Sequence, residues 1–393
     1  MANKNIWIGN GKVVFPDRVF ENGSLLISDG AISAINEPCP AYAEKISVDG
    51  KYIMPGFIDL HVHGGGGSDF MDAEPEAMQN VCRAHCMHGT TALFATTMTC
   101  EDDVLKSVID AYKKAIELPI CGAQLMGLHL EGPFFSSRGR GAQPVGEERI
   151  PTKEVLYDFI RLADGNIKRW DEAPELENTD LFAKVMQENN ILPSIAHTSA
   201  IADIANRAFD LGIKHITHFY SATTTGQKID GIVYSGVNEA VFLRDDVTIE
   251  VIADGRHIPK EHMLLAYKIK GADNMALITD AMRAAGTDCK TSMLGAKVGG
   301  VPVVIKNGVA QLPDLSSYAG SIGTMDKALR VAHLEYGIPL TETVKMLSKT
   351  PARIMNLDKK GELKVGNDAD VVIMDDKFEV AEVYVCGREL YKR

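Results

Sequence analysis

Eight short, mostly apolar runs recur along the middle of the chain: FIDLHVH, TALFATT, LMGLHLEG, IKRWDEAPE, ILPSIAHT, IKHITHFY, TIEVIADG and MALITDA. Between them lie EPEAMQNVCRAHCMHG, DDVLKSVIDAYKKAI, TKEVLYDFIRLA, TDLFAKVMQEN and AIADIANRAFDLG, whose apolar residues fall three and four apart, as on an amphipathic helix. Alternation of strand and helix predicts a parallel sheet, because parallel neighbours need a crossover connection. Eight such units predict an α/β fold, a closed (β/α)8 TIM barrel. An open doubly wound sheet shares the alternation, but no Gly-x-Gly-x-x-Gly follows the first run to support it.

The two ends read differently. Residues 5–53 hold short alternating runs separated by turn residues, as in SLLISDGAISAI, and GELKVGNDADVVIMDDKFEVAEVYVCGREL near the C-terminus has the same texture. Neither is long enough to bury a core alone. Together they predict a small β-sandwich domain formed by both chain ends, residues 1–54 and 356–393, with the barrel, residues 55–355, inserted between them.

Composition and charge narrow the partners. The 393 residues are 45% hydrophobic and 24% charged, ordinary for a soluble globular protein. A formal net charge of -12 argues against nucleic acid and anionic membrane, which both need concentrated positive charge, but leaves room for an anionic small molecule in a locally basic pocket. The start, MANKNIWIGNGKVV, has no basic segment leading into a long apolar one, and no run reaches about 18 apolar residues, so a cytoplasmic location is expected. Seven scattered cysteines fit reduced, mostly buried thiols; Cys82 and Cys86 are placed to share a helix face.

The candidate chemistry sits at the ends of the apolar runs. In FIDLHVHGGGG, Ile58, Leu60 and Val62 share one strand face while Asp59, His61 and His63 share the other. Two converging imidazoles chelate a divalent metal, and the glycines after them allow close approach; two polar residues on a solvated face is the other meaning of the same stretch. Glu131 follows the same alternation at the end of the third run, His197 ends the fifth, His218 the sixth and Asp280 the eighth. Active sites of this barrel lie at the C-terminal strand ends, and imidazoles with carboxylates are a ligand set for zinc, iron or manganese. Such a metal polarises a carbonyl and acidifies water, which suits hydrolysis of an amide or ester. An amine leaves only if protonated, so a general acid/base is needed, and Asp280 is the candidate; a further metal ligand or a helix cap are its other roles.

PGFIDLHVHG, GLHLEGPF, APE, AHT, THFY, ADGRH, TDA and YAGSIGTM occur in the order seen in the amidohydrolase superfamily, and over nearly its whole length the chain resembles the N-acetylglucosamine-6-phosphate deacetylase family. The resemblance implies metal-dependent removal of the acetyl group from an N-acetylated amino sugar, giving glucosamine 6-phosphate and acetate. It implies that Glu131, His197 and His218 hold the main metal, and His61 and His63 a second: one or two divalent ions per subunit, zinc foremost, with iron, manganese or cobalt as the others. It further implies substrate contacts from Ala142, Gln143, Ser221, Ala222, His257, Tyr318, Ala319 and Gly320, with His257 assisting the developing oxyanion, and a homodimer with its active site near the interface.

The chain also departs from that pattern. The family has Asn-Ala-Met after the second metal-binding histidine and a phosphate-binding arginine shortly downstream, where this chain reads SATTTGQKIDGIVYSGVNEA. Serine replaces the asparagine, and Val233 stands in the arginine's place, offering phosphate neither charge nor donor. Arg138, Arg140, Lys228, Arg256 and Arg283 are the other basic candidates, and SSRGRG, in the loop after Glu131, is the best placed of them. The leading expectation is a deacetylase of N-acetylglucosamine 6-phosphate. A related amidohydrolase acting on another amide, or on an unphosphorylated or galacto-configured N-acetylhexosamine, is the alternative. A non-catalytic barrel is disfavoured because all six metal and acid/base residues are retained.

Overall fold

The eight runs form eight parallel strands: β1 (Phe57–Val62), β2 (Thr90–Thr96), β3 (Gln124–Phe134), β4 (Ile167–Glu172), β5 (Leu192–Ile195), β6 (His215–Ile216), β7 (Thr248–Ile252) and β8 (Met275–Ile278). In this computed structural model, which describes residues 5–393, each strand is hydrogen-bonded to the next from β1 to β8. The first four residues of the expected β-domain lie outside the described residues. The ring is nearly closed by a parallel bridge between Val62, the last residue of β1, and Ala281, three residues past β8. Buried Asp59 ties the seam, accepting from the Thr279 hydroxyl at 2.6 Å and the Thr279 amide at 3.2 Å.

Helices α1 (Pro75–Cys86), α2 (Asp102–Ala115), α3 (Lys153–Ala163), α4 (Thr179–Glu188) and α5 (Ala202–Asp210) occupy the amphipathic stretches. Local chemistry sets their ends. The Thr152 side chain accepts from the Val155 amide to cap α3, and α2 opens with Asp102 and Asp103 and closes with Lys113 and Lys114, matching the helix dipole at both ends. Their apolar faces bury the outside of the barrel: Trp170 on β4 packs against Phe134, Phe159 of α3 and Phe182 of α4 at centroid distances of 5.4, 6.3 and 6.3 Å.

The chain ends meet in one largely antiparallel sheet. Its order is Arg388–Lys392, Val380–Val385, Val371–Met374, Tyr52–Pro55, Ile6–Val14, Val19–Ser28 and Ala31–Ile35, with Glu44–Ser47 also paired to Ile6–Val14. Tyr52–Pro55 runs directly into β1 through Gly56, where any Cβ would collide with the Thr91 hydroxyl. A separate three-stranded antiparallel sheet (Thr291–Leu294, Val301–Lys306, Val309–Gln311) follows β8 and was not foreseen, although Asn307-Gly308, both at positive φ (54° and 78°), is a typical hairpin turn. Among the described residues no helix is long and apolar enough to cross a membrane, and all seven cysteines are free, Cys82 and Cys86 buried on α1.

Inside the barrel, below its mouth, the inward positions are ionic. Fully buried Arg169 on β4 pairs with both oxygens of Glu250 on β7 and donates to the Ser194 hydroxyl at 3.0 Å, while Asp171 Oδ2 on β4 lies 2.9 Å from His129 Nε2. Burial alone would raise the Glu250 carboxyl, but Arg169 holds it well below the usual range. Removing one member of such a pair strands the other charge. Glu250→Leu is therefore expected to cost about 3–5 kcal/mol, read as a lower urea midpoint, with Arg169→Met in the same chain restoring most of the loss.

Candidate metal centre and substrate pocket

All five residues expected to bind metal, together with Asp280, converge at the C-terminal mouth of the barrel. His61 and Glu131 lie within β1 and β3, and His63 just past β1. His197, His218 and Asp280 each sit two residues beyond β5, β6 and β8. These three adopt left-handed backbone angles, φ 47°, 29° and 49°. A non-glycine residue there is strained by roughly 1–3 kcal/mol. The turn ends the ladder, which is why β5 and β6 are shorter than the apolar runs, and it swings each side chain over the mouth. Neighbouring hydrogen bonds hold the strained backbone: Asp280 N to His61 O at 2.9 Å, Ser221 N to His218 O at 2.8 Å and Ser136 N to His197 O at 3.1 Å.

The side chains form two adjoining donor sets, Glu131–His197–His218 and His61–His63–Asp280, in each of which the donor atoms lie within 4.8 Å of one another. In the first, His197 Nε2 and His218 Nε2 approach Glu131 Oε1 to 3.0 and 2.9 Å and each other to 3.2 Å. In the second, His61 Nε2 and His63 Nε2 are 3.1 Å apart and lie 3.4 and 3.2 Å from Asp280 Oδ1. Glu131 links the sets through Oε2, 3.3 Å from His63 Nε2.

Backbone carbonyls behind the rings fix which nitrogen faces inward. His197 Nδ1 donates to Gly139 O at 3.0 Å and His218 Nδ1 to Ser221 O at 2.9 Å, so each ring turns its Nε2 toward the other ring and a carboxylate. Those contacts repel unless positive charge sits among them. Burial penalises the Glu131 charge, yet the surrounding histidines, His61 first, hold its carboxyl well below the usual range. Burial likewise disfavours charge on His218, yet Glu131 pushes that ring up to about 9. Without a metal the cluster must recruit protons; imidazoles and carboxylates together fit a divalent cation.

Above this floor opens a cavity of about 520 Å³, lined by His63, Glu131, His197, His218 and Asp280 and, among the expected substrate contacts, by Ala142, Gln143, Ser221, Ala222, His257, Tyr318 and Gly320. Ala319 is fully buried outside the lining, and His61 lies behind His63, equally buried. Val233 is also outside it, 77% exposed on a hairpin of Gln227–Ile229 and Ile232–Tyr234.

Three features were not foreseen. Gln143 donates from Nε2 to Glu131 Oε2 at 2.8 Å while its Oε1 accepts from the Thr99 amide at 3.0 Å, so the Glu131 carboxylate is oriented by this amide. Asp254 accepts from His257 Nδ1 at 2.9 Å and from the Arg256 and His257 amides at 2.8 and 2.9 Å, which fixes that ring in the wall; its signal was present in ADGRH. Leu294, contributed by the three-stranded sheet, had no signal of its own.

A parallel barrel with two histidine–carboxylate donor sets at its mouth defines a metal-dependent hydrolase architecture, and the chain belongs to the amidohydrolase family, whose model matches residues 52–390. Its relatives narrow this to the N-acetylglucosamine-6-phosphate deacetylase family. It is 34% identical over 369 residues to the N-acetylglucosamine-6-phosphate deacetylase of Lysinibacillus sphaericus, covering 94% of this chain and 93% of that one. It is 28% identical over 390 residues to the N-acetylgalactosamine-6-phosphate deacetylase of Shewanella sp. (strain ANA-3), covering 97% and 95%. Among solved structures, the N-acetylglucosamine-6-phosphate deacetylase of Pasteurella multocida matches with a TM-score of 0.91 at 27% identity, over 99% of this chain and 100% of that one.

The orienting role of Gln143 is open to measurement. Gln143→Leu is expected to weaken metal affinity about 10–100-fold in competition with a chelator, and His197→Ala to lose a bound equivalent outright by elemental analysis. Undiminished affinity in Gln143→Leu would leave the Glu131 contact without a function in metal binding.

Proposed function

We propose that this chain removes the acetyl group from an N-acetylhexosamine 6-phosphate, with N-acetylglucosamine 6-phosphate as the first candidate, releasing acetate and glucosamine 6-phosphate. The observation that carries this reading is the placement of Asp280, a member of one donor set that adjoins the other, on the floor of a cavity with room for a phosphorylated monosaccharide. The likeness to the Lysinibacillus sphaericus enzyme supports the gluco substrate, and the Shewanella relative makes the galacto epimer the second reading.

Glu131, His197 and His218 would hold the principal cation, and His61, His63 and Asp280 a second. Zinc suits the imidazole-rich set, with iron, manganese and cobalt as alternatives. Such a cation, when bound, polarises an amide carbonyl and acidifies water. Asp280 is the proton carrier. Burial works against its charge, but His61, His63 and His218 hold its carboxyl below the usual range, so it stands as a carboxylate able to take the attacking water's proton. Returned to the leaving nitrogen, that proton lets the amine depart neutral. His257 holds its Nδ1 proton on Asp254, which leaves Nε2 as an acceptor for a sugar hydroxyl; support of an oxyanion requires the doubly protonated ring. Ala142, Ser221, Ala222, Tyr318 and Gly320 shape the walls. A homodimer is the proposed assembly, supported by exposed Ile232 and Val233 on the hairpin beside the pocket, and a reducing compartment, the cytoplasm, suits seven free cysteines.

Acetate release by the zinc-loaded protein tests this reading. Hydrolysis of N-acetylglucosamine 6-phosphate is expected, with kcat lowered about 10²–10⁴-fold in Asp280→Asn while metal at the Glu131 set is retained. Unchanged turnover would remove Asp280 from proton transfer, and no acetate from any N-acetylated sugar would overturn the reading.

A further inference from the structure

The pocket floor is crowded with histidines and carboxylates, yet its walls hold a single permanent cation: Arg138 is the only lysine or arginine among the described lining residues. Arg138 lies in the loop after β3, and that loop is strapped to the floor. The Ser136 amide donates to His197 O at 3.1 Å, the Ser136 and Ser199 hydroxyls meet at 2.9 Å, and Gly139 O accepts from His197 Nδ1 at 3.0 Å. The strap passes so close that a Cβ on Gly139 would fall 2.5 Å from the His197 carbonyl, which only glycine avoids. Further along, Gln143 ties the loop to Thr99 and Glu131. The backbone around Arg138 is thereby fixed to two residues of one donor set, while its side chain is exposed and, among the described residues, without a hydrogen-bond or ion-pair partner.

The other basic candidates are engaged or elsewhere. Arg140 donates to Gln143 O at 3.2 Å, and Arg283 is buried against Asp72 at 2.6 Å and the Gly67 and Gly295 carbonyls. Arg256 and Lys228 lie outside the lining, and Val233 has no charge to offer. A guanidinium fork is the donor that matches phosphoryl oxygens two at a time.

We propose that Arg138 reads the phosphoryl group of the substrate, selecting N-acetylhexosamines that carry a phosphate monoester and orienting them with the phosphoryl group at the loop and the acetamido group on the floor. This rests on the deacetylase reading above and adds the residue that sets its specificity. The test is the ratio of kcat/KM for N-acetylglucosamine 6-phosphate to that for N-acetylglucosamine, in the zinc-loaded wild type, Arg138→Ala, Arg138→Lys and Lys228→Ala. Arg138→Ala is expected to lower the ratio about 10–100-fold, mainly through KM for the phosphorylated sugar, with Arg138→Lys intermediate because a point charge lacks the fork. A ratio near one in the wild type, or one unmoved in Arg138→Ala, overturns the proposal, and a loss confined to Lys228→Ala transfers the role to the hairpin. Calorimetric binding of glucose 6-phosphate against glucose reads the same contact without hydrolysis. Failure of the deacetylase reading then shows as phosphate-dependent binding lost in Arg138→Ala with no acetate released, and failure of the Arg138 proposal as acetate released with an unmoved ratio.

Discussion

Two ring nitrogens whose Nδ1 protons are given to backbone carbonyls cannot be buried 2.9–3.2 Å from a carboxylate and from each other unless positive charge sits among them, and the mouth of this barrel is built around that constraint. The seam between β8 and β1 brings His61 and His63 beside Asp280, because Asp280 N bonds to His61 O and His63 N to Ala281 O. The left-handed turns at His197, His218 and Asp280 are tolerable only because a rigid barrel fixes the strand ends on either side of them. The strain, the seam and the hydrogen bonds from Gly139, Ser221 and Gln143 all act in one direction, keeping lone pairs aimed inward where solvent would otherwise turn them out.

The layer beneath has the opposite character. Arg169 answers both Glu250 and Asp171, the latter 3.4 Å from its Nε, while burial pushes the His129 ring down to about 4, so this interior is held by a guanidinium the protein itself supplies and can be buried without a ligand. The mouth is short of positive charge by design of its residues, and the two layers touch where Glu250 Oε2 lies 3.7 Å from His61 Nδ1. A core carboxylate that already has its arginine neither competes for the cation above nor needs a proton of its own. That division lets a barrel hold many ionisable groups on its axis while confining reactive electrostatics to one end.

How much of this could be read beforehand follows from what each feature depends on. The eight strands and five helices rest on local periodicity, and the two-residue alternation of β1 and β3 already turned His61 and Glu131 inward. His197, His218 and Asp280 were recognisable as the polar ends of apolar runs, but the left-handed turns that aim them are a tertiary outcome with no local signature. The same holds for Gln143 bridging Thr99 and Glu131, 44 and 12 residues away, and for Leu294 arriving from an insertion. Ala319 shows the limit from the other side: a motif locates a segment, but whether Ala319 or its neighbours Tyr318 and Gly320 reach the cavity depends on the turn, here with Gly320 at φ 64°. The membership of the small sheet at both chain ends followed from chain economy, since neither end could bury a core alone, whereas its strand order depended on Tyr52–Pro55 running without a break into the barrel.

With Arg138 as the proposed reader of the phosphoryl group, recognition and chemistry would share one segment, and that has a physical consequence. A phosphate monoester and an acetamido group sit a fixed distance apart on a hexosamine ring, so discrimination depends on how constant the separation of their two receptors is. A cation carried on the exposed hairpin of Ile232 and Val233 would stand on a segment outside the cavity lining, with no bond to the donor-set side chains, and bind phosphate with little leverage on the acetyl group. The loop after β3 differs, because its backbone is bonded to His197 through Ser136 and Gly139 and to Glu131 through Gln143. The glycines that permit this closeness therefore matter as much as the charged residues: Gly139 lets the strap lie against His197, and in the proposed binding mode that contact would set the span from the Arg138 guanidinium to the floor.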